Sequence, residues 1–217
     1  AFAQHQGKFG NHEVLVSLRR DDNEQFSVHN TGNLAWGHAL SPTLRGRLSY
    51  GTAFKAPTFN QLYYPNFGSS DLKPEKSKSY EAGLRGKQTW GNWDMRAFQT
   101  RVENLIATVQ VGSNYVAQNV DTALIKGLEA EASTMLAGWN TRASLTLMDP
   151  RDTGRDKILN RRTKRSLKLD ADRAFGAWRL GATWLVQGHR YDDVNNTTRL
   201  GGYGLLNLHA QHALSKQ

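Results

Sequence analysis

The sequence predicts an all-β protein, an antiparallel up-and-down meander of about eleven strands that forms part of a transmembrane β-barrel. Three observations lead to this fold class. Apolar and polar residues alternate with a period of two, short and longer connections follow each other in turn, and tryptophans collect beside the short connections.

Alternating residues define the strands. From residue 44 to 55, even-numbered positions are apolar, aromatic or small, and odd-numbered positions include two arginines and a lysine. Similar alternation recurs over residues 139–148, 167–172 and 178–187, and no long apolar stripe with helical spacing is present. Because successive side chains of a strand point to opposite faces, one face should be apolar. The leucines expected on it, in contact with lipid, are Leu48, Leu145, Leu169 and Leu180.

The connections are of two kinds. Short turn signals occur at 10–11, 41–43, 91–92, 137–138 and 175–176. The other connections fall at 21–24, 56–76, 112–114, 150–160 and 192–199. Successive connections of a meander lie at opposite ends of the sheet, so one end should have tight turns and the other variable loops. An open sheet would leave unpaired edges, and single-chain bacterial barrels have even strand numbers, so a larger barrel is expected.

Five of the six tryptophans lie within about five residues of a short turn. Indole rings prefer the headgroup level of a membrane, and outer-membrane barrels have their short turns on the periplasmic side. We therefore expect the end with Trp90, Trp93, Trp139 and Trp178 to face the periplasm, and the 56–76 loop to lie outside the cell. The alternative is that tryptophan simply packs near strand ends.

Composition excludes several other classes of protein. The 217 residues include no cysteine, which rules out disulfide scaffolds and thiolate metal sites. The mean hydropathy is −0.62, and no apolar run is long enough for a membrane-spanning helix. The formal charge is +9, but the basic residues are spread along the chain instead of clustered, which argues against a nucleic-acid partner.

Charged residues recur at every second position on the face opposite the leucines. Mixed charges of this kind suit a polar lumen, and they are poor candidates for acid–base catalysis, which needs a small isolated set in a closed pocket. We therefore expect no enzymatic activity and no catalytic residue. A solvated sheet face is the alternative. Six residues assigned to the inner face are Arg45, Glu81, Arg85, Glu129, Glu131 and Arg142, and the same pattern continues at Lys168, Asp170 and Asp172.

No metal ion or cofactor is expected in this chain. His209 and His212 are three residues apart on a strand, so they point to opposite faces and cannot bind one ion together. The oxygen-rich stretches 21–23 and 192–196 lack the ordered spacing of a calcium loop, and solvated turns are the preferred interpretation.

Four stretches resemble the barrel of TonB-dependent outer-membrane receptors. They are Leu18–Phe26, Leu48–Tyr63, Asp71–Leu84 and Ile125–Ala132. The second includes Ala53-Phe-Lys-Ala-Pro57, which ends a strand because Pro57 cannot donate a hydrogen bond to the sheet. The resemblance extends over nearly the whole chain.

The resemblance implies a 22-stranded barrel with an N-terminal plug, which imports nutrients with energy supplied through TonB. Matched to such a receptor, residues 1–217 would form the C-terminal part of the barrel domain, from about the tenth strand to the twentieth, with no plug domain. The implied location is the outer membrane of a Gram-negative bacterium. The implied partners are TonB, through the plug, and outer-membrane lipid and lipopolysaccharide. Calcium is expected only in loops of the full protein, outside this chain.

Within that family, the resemblance is greatest to receptors for cobalamin. It rests on Arg19–Asn23, on Asn160–Lys164 and on Gly188–Asp192, which leads to Gly201 and Gly202. The implied function is to bind cobalamin at the extracellular face and import it to the periplasm. Alternatives that stay open are a receptor of the same fold for a ferric siderophore or haem, a passive outer-membrane channel or adhesin, and a soluble all-β binding module.

Five loop residues are candidate ligand contacts. The aromatic 56–76 loop suits a flat, partly apolar ligand, although such a loop can also fold on its own aromatics. By resemblance, Arg161 lies where a loop re-enters the barrel mouth, and its guanidinium can donate to the amide oxygens and phosphate of a corrinoid. The alternative is a rim ion pair with Asp149, Asp152 or Asp156. The candidates are Tyr63, Tyr64, Phe67, Arg161 and Tyr191. The resemblance also implies that the six charged inner-face residues face the plug.

Overall fold

The computed structural model describes residues 1–120 and 122–214. Its elements are, in chain order, β1 (Phe2–Phe9), β2 (His12–Asn23), β3 (Ser27–Ser41), β4 (Leu44–Lys55), α1 (Phe59–Tyr63), β5 (Glu75–Gln88), β6 (Gly91–Glu103), β7 (Ile106–Val111), β8 (Asn114–Asn119), β9 (Thr122–Leu136), β10 (Trp139–Asp152), β11 (Lys157–Ile158), β12 (Arg165–Phe175), β13 (Trp178–Gln187), β14 (Arg190–Tyr191), β15 (Arg199–Leu200) and β16 (Tyr203–His212). Within these ranges no helix is both long enough and apolar enough to cross a membrane.

Eleven strands form one antiparallel sheet in which each strand pairs with the next one of the set. The order is β1, β2, β3, β4, β5, β6, β9, β10, β12, β13 and β16. Strand β11 adds two residues beside β10, and β14 pairs with β15 outside the main sheet. The two outermost strands do not pair with each other in the described part of the chain, so the sheet is open. The predicted all-β meander of about eleven strands is confirmed.

The connection between β6 and β9 differs from the prediction of a simple connection at 112–114. Strands β7 and β8 pair with each other in a separate two-stranded sheet, and β6 pairs directly with β9. Gly112, with φ of +62°, allows the tight turn between β7 and β8. The whole hairpin is therefore an excursion from the main sheet. Its residues do not extend the strands on either side.

The two-residue turns that join strands of the main sheet all lie at one end of it, which we call the turn end. At one of them Ala137 and Gly138 both have positive φ, 50° and 81°, as a type I′ hairpin turn requires. Neighbouring turns are joined by backbone hydrogen bonds, such as the one that Lys87 N–H donates to the Thr43 carbonyl. The opposite end, called the loop end, has the longer connections. This arrangement matches the predicted alternation of connections.

The strand register separates the side chains into two faces. One row across the sheet runs through Leu48, Ala82, Ala97, Leu128 and Leu147, which are direct partners on five successive strands. We call the face with this row the apolar face. The four leucines predicted to contact lipid all lie on it. The opposite face is the charged face.

Large apolar side chains on the apolar face are not packed against a second layer. Leu48 is 52% exposed, Met95 55% and Leu128 57%. Buried apolar side chains are instead found at the loop end, where Leu62, Leu72 and Ala117 form a cluster. An apolar sheet face left open in this way needs an apolar surrounding, because burial of such surface stabilises a fold by about 25 cal/mol per Å².

Most tryptophan side chains lie on the apolar face. The five within strands that lie there are Trp36, Trp93, Trp139, Trp178 and Trp184. Trp93, Trp139 and Trp178 are within two residues of the turn end, and Trp90 is part of a turn. Trp184 lies farther from the turn end, near the middle of its strand.

Candidate functional site

A set of ion pairs covers the charged face, within strands, between neighbouring strands and between alternate strands. Near its centre, Arg96 pairs with Glu129 and with Glu81, the latter at 3.8 Å. Arg47 pairs with Glu81 at 3.4 Å and with Asp94 at 2.7 Å. These side chains are partly exposed, so each pair contributes only a modest free energy, typically about 0–1 kcal/mol.

Further ion pairs extend the set toward both edges of the sheet. They are Arg45–Glu13, Arg85–Asp94, Arg142–Glu131, Lys168–Asp170 and Arg179–Asp172. All these residues share one face by strand register. The face therefore presents acidic and basic groups that are already paired within the sheet.

The six residues predicted for the inner face lie together on this charged face, and each takes part in an ion pair of the set. Their contact with a plug remains a prediction. Sequence reasoning missed five members, namely Glu13, Arg47, Asp94, Arg96 and Arg179. The two-residue spacing of Asp94 and Arg96 indicates that they share one face of the sheet. Only the strand register shows which charged residues of the neighbouring strands lie beside them.

The first group of loops at the loop end is built around α1. Thr58 begins this short helix with a capping box: its hydroxyl accepts from Gln61 N–H, and the Gln61 side chain accepts from Thr58 N–H. The helix places Leu62 in the buried cluster with Leu72 and Ala117. The 56–74 loop and the β7–β8 hairpin therefore fold against each other.

Polar contacts hold this loop group in place. The Asn119 side chain accepts from Lys73 N–H at 2.8 Å and donates to the Lys73 carbonyl at 2.9 Å. Ala117 N–H donates to the Phe67 carbonyl at 2.8 Å. The Gln25 side chain donates to the Tyr63 hydroxyl at 2.9 Å, which links the β2–β3 connection to the same group.

The three aromatic candidates in this loop have different surroundings. Tyr63 is 48% exposed and Tyr64 is 58% exposed, so both present ring surface at the loop end. Phe67 packs against the cluster formed by Leu62, Leu72 and Ala117. The loop thus folds on part of its aromatic set and exposes the rest. The interpretation of a loop folded on its own aromatics holds for Phe67, and ligand contact by Tyr63 and Tyr64 stays a prediction.

The second group of loops connects residues 153–164 with residues 188–202. Arg161 Nε donates to Asp192 Oδ1 at 2.8 Å, and Arg161 N–H donates to the Tyr191 carbonyl at 2.6 Å. Arg161 has a positive φ of 57°, uncommon for a residue with a side chain. The candidate contacts Arg161 and Tyr191 therefore lie beside each other.

Arg161 does form an ion pair, as the alternative interpretation suggested, but its partner is none of the three aspartates named from the sequence. Asp149 pairs with Arg151 and Lys164, each at 2.8 Å, and Asp156 also pairs with Arg151. Asp152 lies 3.9 Å from Arg155. Those carboxylates are engaged by Arg151, Arg155 and Lys164. This leaves Asp192, on the neighbouring loop, as the partner of Arg161.

Asparagine and aspartate side chains stabilise the second loop group. Asn196 accepts from Ile158 N–H and donates to the Ile158 carbonyl, both at 2.8 Å, and so joins the two loops. Burial alone would raise the pKa of Asp193, but backbone N–H donors from Thr198, Thr197 and Asn195 lower it to about 2. The Asp193 carboxylate is thus engaged by the loop's own backbone.

The candidate ligand contacts lie in two separate loop groups at the loop end. The first loop group presents Tyr63 and Tyr64, and the second presents the 63% exposed Arg161 side chain beside Tyr191. Within residues 1–120 and 122–214, no hydrogen bond or ion pair joins one candidate set to the other. No group of three or more His, Asp or Glu side chains there could hold a metal ion. Aromatic faces and a forked donor suit recognition of a ligand.

Comparison with protein families gives a match over the whole chain. Residues 1–217 match the model of the TonB dependent receptor-like β-barrel family. The chain is 35% identical over 201 residues to the vitamin B12 transporter BtuB of Photobacterium profundum, covering 90% of this chain and 33% of that protein. It is also 35% identical over 203 residues to BtuB of Vibrio vulnificus, covering 93% and 33%. The chain thus spans about a third of the length of these relatives.

Solved structures show the same fold. The copper transporter OprC superposes with a TM-score of 0.80 at 20% identity, covering 99% of this chain and 38% of OprC. A mutant of the ferric enterobactin receptor PfeA from Pseudomonas aeruginosa superposes with a TM-score of 0.79 at 21% identity, covering 99% and 37%. At this level of identity the likeness concerns the arrangement of strands alone.

Proposed function

The chain belongs to the family of TonB-dependent receptor-like β-barrels, and we propose that it forms the ligand-facing part of a receptor that imports cobalamin. Members of the family are outer-membrane proteins, and the family is one of transport receptors. In this proposal the chain supplies about half of a 22-stranded barrel wall. A plug and the remaining strands come from other parts of the receptor, and TonB acts through the plug.

The observation that carries the choice of ligand is the 35% identity to two vitamin B12 transporters over at least 90% of this chain. The siderophore and copper receptors share the fold at about 20% identity, which supports no choice of ligand. The geometry of the loop end is compatible with a corrinoid. Such a ligand combines a broad, partly apolar ring system with amide and phosphate oxygens.

Each loop candidate has a role in this proposal. Arg161 donates from its guanidinium to an amide or phosphate oxygen of cobalamin, with Tyr191 beside it. Tyr63 and Tyr64 provide aromatic surface from the other loop group. Phe67 acts indirectly, because its packing in the buried cluster holds the aromatic loop in shape.

The two faces of the sheet also have roles in this proposal. The apolar face contacts acyl chains of the outer membrane. The charged face lines the lumen, where ion pairs within the wall leave polar edges that a plug can contact without exposing an unpaired charge. The turn end faces the periplasm, and the loop end faces the outside of the cell.

Uptake of radiolabelled cyanocobalamin tests this function. The complete receptor is produced in cells that lack their own cobalamin receptor, with and without TonB. The proposal requires saturable uptake that depends on TonB and is not reduced by excess ferric siderophore. Uptake without TonB would identify a passive channel. Uptake of a ferric siderophore with no uptake of cobalamin would assign the receptor to a different ligand.

A further inference from the structure

Strands β3 and β4 separate at the loop end. In the part of the chain that the structure describes, their partnering ends at Asn33 and Gly51, which leaves residues 27–32 of β3 and 52–55 of β4 without a register to each other. On its other side each of the two strands stays paired to its end, β3 with β2 and β4 with β5. We call the opening between these two segments the seam.

A threonine hydroxyl links the two strands at the base of the seam. The Thr52 hydroxyl accepts from Gly32 N–H at 3.0 Å and donates to the Gly32 carbonyl at 3.4 Å. In a continuous ladder these two residues would be the next direct partners after Asn33 and Gly51. A side chain thus takes the place of the regular backbone pairing at the point where the strands separate.

Two rings from opposite faces of the sheet meet in the seam. His29 lies on the charged face by its register with Asp21, and Phe54 lies on the apolar face by its register with Lys76. Their ring centroids are nevertheless 3.7 Å apart, with 16° between the ring planes. Side chains that point to opposite faces of adjacent strands can stack only where the strands leave an opening between them. The stacked rings therefore fill the seam.

A cavity of about 300 Å³ lies at the seam. Its lining includes Thr31 and Ala53, which belong to the charged face, and Asn30 and Thr52, which belong to the apolar face. A cavity lined from both faces shows that the two strands are not closely packed at this height. They can therefore move apart without breaking a dense core.

The tip of the β2–β3 hairpin is attached to the first loop group. The Gln25 side chain donates to the Tyr63 hydroxyl at 2.9 Å, and Phe26 packs against the buried cluster of that loop group. Within the tip, the Asn23 side chain accepts from the backbone N–H groups of Gln25 and Phe26 at 3.0 Å and 2.9 Å. We call residues 21–32, which form this end of the hairpin, the flap.

His29 connects the tip of the flap with the seam. Its Nε2 donates to the Phe26 carbonyl at 2.7 Å, since a carbonyl oxygen can only accept. The residue whose ring fills the seam is thus hydrogen-bonded to the residue that packs on the buried cluster. A displacement of the first loop group therefore acts on the ring stack through Phe26.

We propose that the flap is a moving part of the barrel wall, which follows the first loop group and separates from β4 at the seam. The contacts that break are the ring stack of His29 with Phe54 and the hydrogen bonds of Thr52 with Gly32, while β4 stays paired with β5. Local opening of this kind costs less free energy than global unfolding, because few interactions are lost. The flap lets the aromatic loop change position without disturbing the rest of the sheet, whichever nutrient the receptor imports.

Hydrogen–deuterium exchange of the complete receptor in nanodiscs, followed by mass spectrometry without added ligand, tests the flap. In the parent receptor, residues 27–32 should exchange at least about tenfold faster than residues 76–79 of β5, which lie at the same height and are paired on both sides. Thr52→Val, which removes the hydroxyl contacts of the seam, should speed the exchange of residues 27–32 about tenfold further. Thr100→Val is the matched control, because its hydroxyl lies 2.9 Å from that of Ser79 between two strands with a continuous ladder.

A pair of leucine variants tests the coupling between the flap and the first loop group. Leu72 is buried in the cluster that Phe26 contacts, and Leu159 is buried to a similar degree in the second loop group, with 5% and 6% exposed. Leu72→Ala should speed the exchange of residues 27–32 about tenfold, and Leu159→Ala should leave it unchanged. If heat-modifiable migration shows that an alanine variant is not folded, valine replaces alanine at both positions.

Three results would each overturn the proposal. They are equal exchange of residues 27–32 and 76–79 in the parent receptor, equal effects of the two threonine variants, and equal effects of the two leucine variants. The measurement uses no nutrient, so its outcome is independent of cobalamin binding.

Discussion

The guanidinium of Arg47 on β4 reaches across β5 to Asp94 on β6, with Nη2 2.7 Å from Oδ1 and Nη1 3.0 Å from Oδ2. The residue of β5 that lies between them is Gly83. A Cβ at Gly83 would lie only 2.9 Å from Arg47 Nε. The bidentate contact between alternate strands therefore depends on the missing side chain.

A second arginine of the charged face makes a similar contact. Arg45 on β4 pairs with Glu13 on β2, and a Cβ at Gly37 of the intervening β3 would lie 3.0 Å from Arg45 Nε. In both places the glycine makes room for an arginine that lies flat over the sheet. The ion pairs thereby tie together strands that do not share backbone hydrogen bonds.

Replacing Gly83 with alanine should destabilise the barrel. The new Cβ would crowd Arg47 and would lie 3.0 Å from the Met95 carbonyl, which belongs to the backbone and cannot easily move. We expect a loss of about 1–2 kcal/mol in a urea refolding titration, within the range typical of overpacking against atoms that cannot move away. Gly46→Ala is the control, because its nearest neighbours are side-chain atoms at 3.6 Å and 3.8 Å. Equal losses for both variants would contradict this account.

The assignment of the two faces predicts that arginine substitutions at adjacent residues differ in their cost to folding free energy. Leu145 lies on the apolar face, and Ser144 lies on the charged face opposite Glu131 and Lys168. Leu145→Arg should cost about 2–4 kcal/mol of folding free energy in a lipid bilayer if the site is near the midplane, and Ser144→Arg should cost much less. Refolding titrations in liposomes measure both. Equal costs would mean that the two faces do not divide into a lipid side and a lumen side.

The sequence could predict the faces because alternation is a local property. Alternation within one strand is enough to predict which face a leucine occupies. The strand register confirms the predicted face of Leu48, Leu145, Leu169 and Leu180. The eleven-strand count was equally accessible, since turn residues such as Ala137 and Gly138 mark one end of the sheet.

Other features depend on contacts between distant parts of the chain. The turn signal at 112–114 marks a connection between two strands, and only the direct pairing of β6 with β9 shows that β7 and β8 form a separate hairpin. The pairing of Arg161 with Asp192, instead of a nearer aspartate, depends on two loops meeting. The pairing of Asp94 with Arg47 and Arg85 can be predicted only when the register of β4, β5 and β6 is known.

The orientation of the barrel predicts which engineered cysteine is accessible from outside the cell. Ser113, in the β7–β8 turn, is at the loop end, and Ala177, between β12 and β13, is at the turn end. A maleimide on a polymer too large for porins should label Ser113→Cys on intact cells. Ala177→Cys should react only after the outer membrane is permeabilised. Labelling of Ala177→Cys alone on intact cells would reverse the orientation.

The loop that contains Asp193 should resist moderate acid. Its carboxylate has a pKa of about 2, below the ordinary value of 3.8, since backbone N–H groups of Thr197 and Thr198 favour the charged form. A lowered pKa means that this stabilisation is complete above about pH 4 and is lost as the pH falls through about 2. Carboxyl ¹³C NMR of the receptor in nanodiscs, with Asp193→Asn to assign the resonance, measures the midpoint. A midpoint near 4 would show that the backbone contacts do not persist in solution.

Equilibrium binding of cobalamin to the complete purified receptor tests the proposed function most directly. The account predicts that the parent receptor binds cobalamin and that Arg161→Gln weakens binding by at least about 1 kcal/mol, roughly fivefold in Kd. Arg162→Gln, which changes the adjacent exposed arginine, should leave both the affinity and the thermal stability unchanged. Equal affinity in all three proteins would remove Arg161 from the site. No binding of cobalamin by the parent receptor would contradict the proposed function.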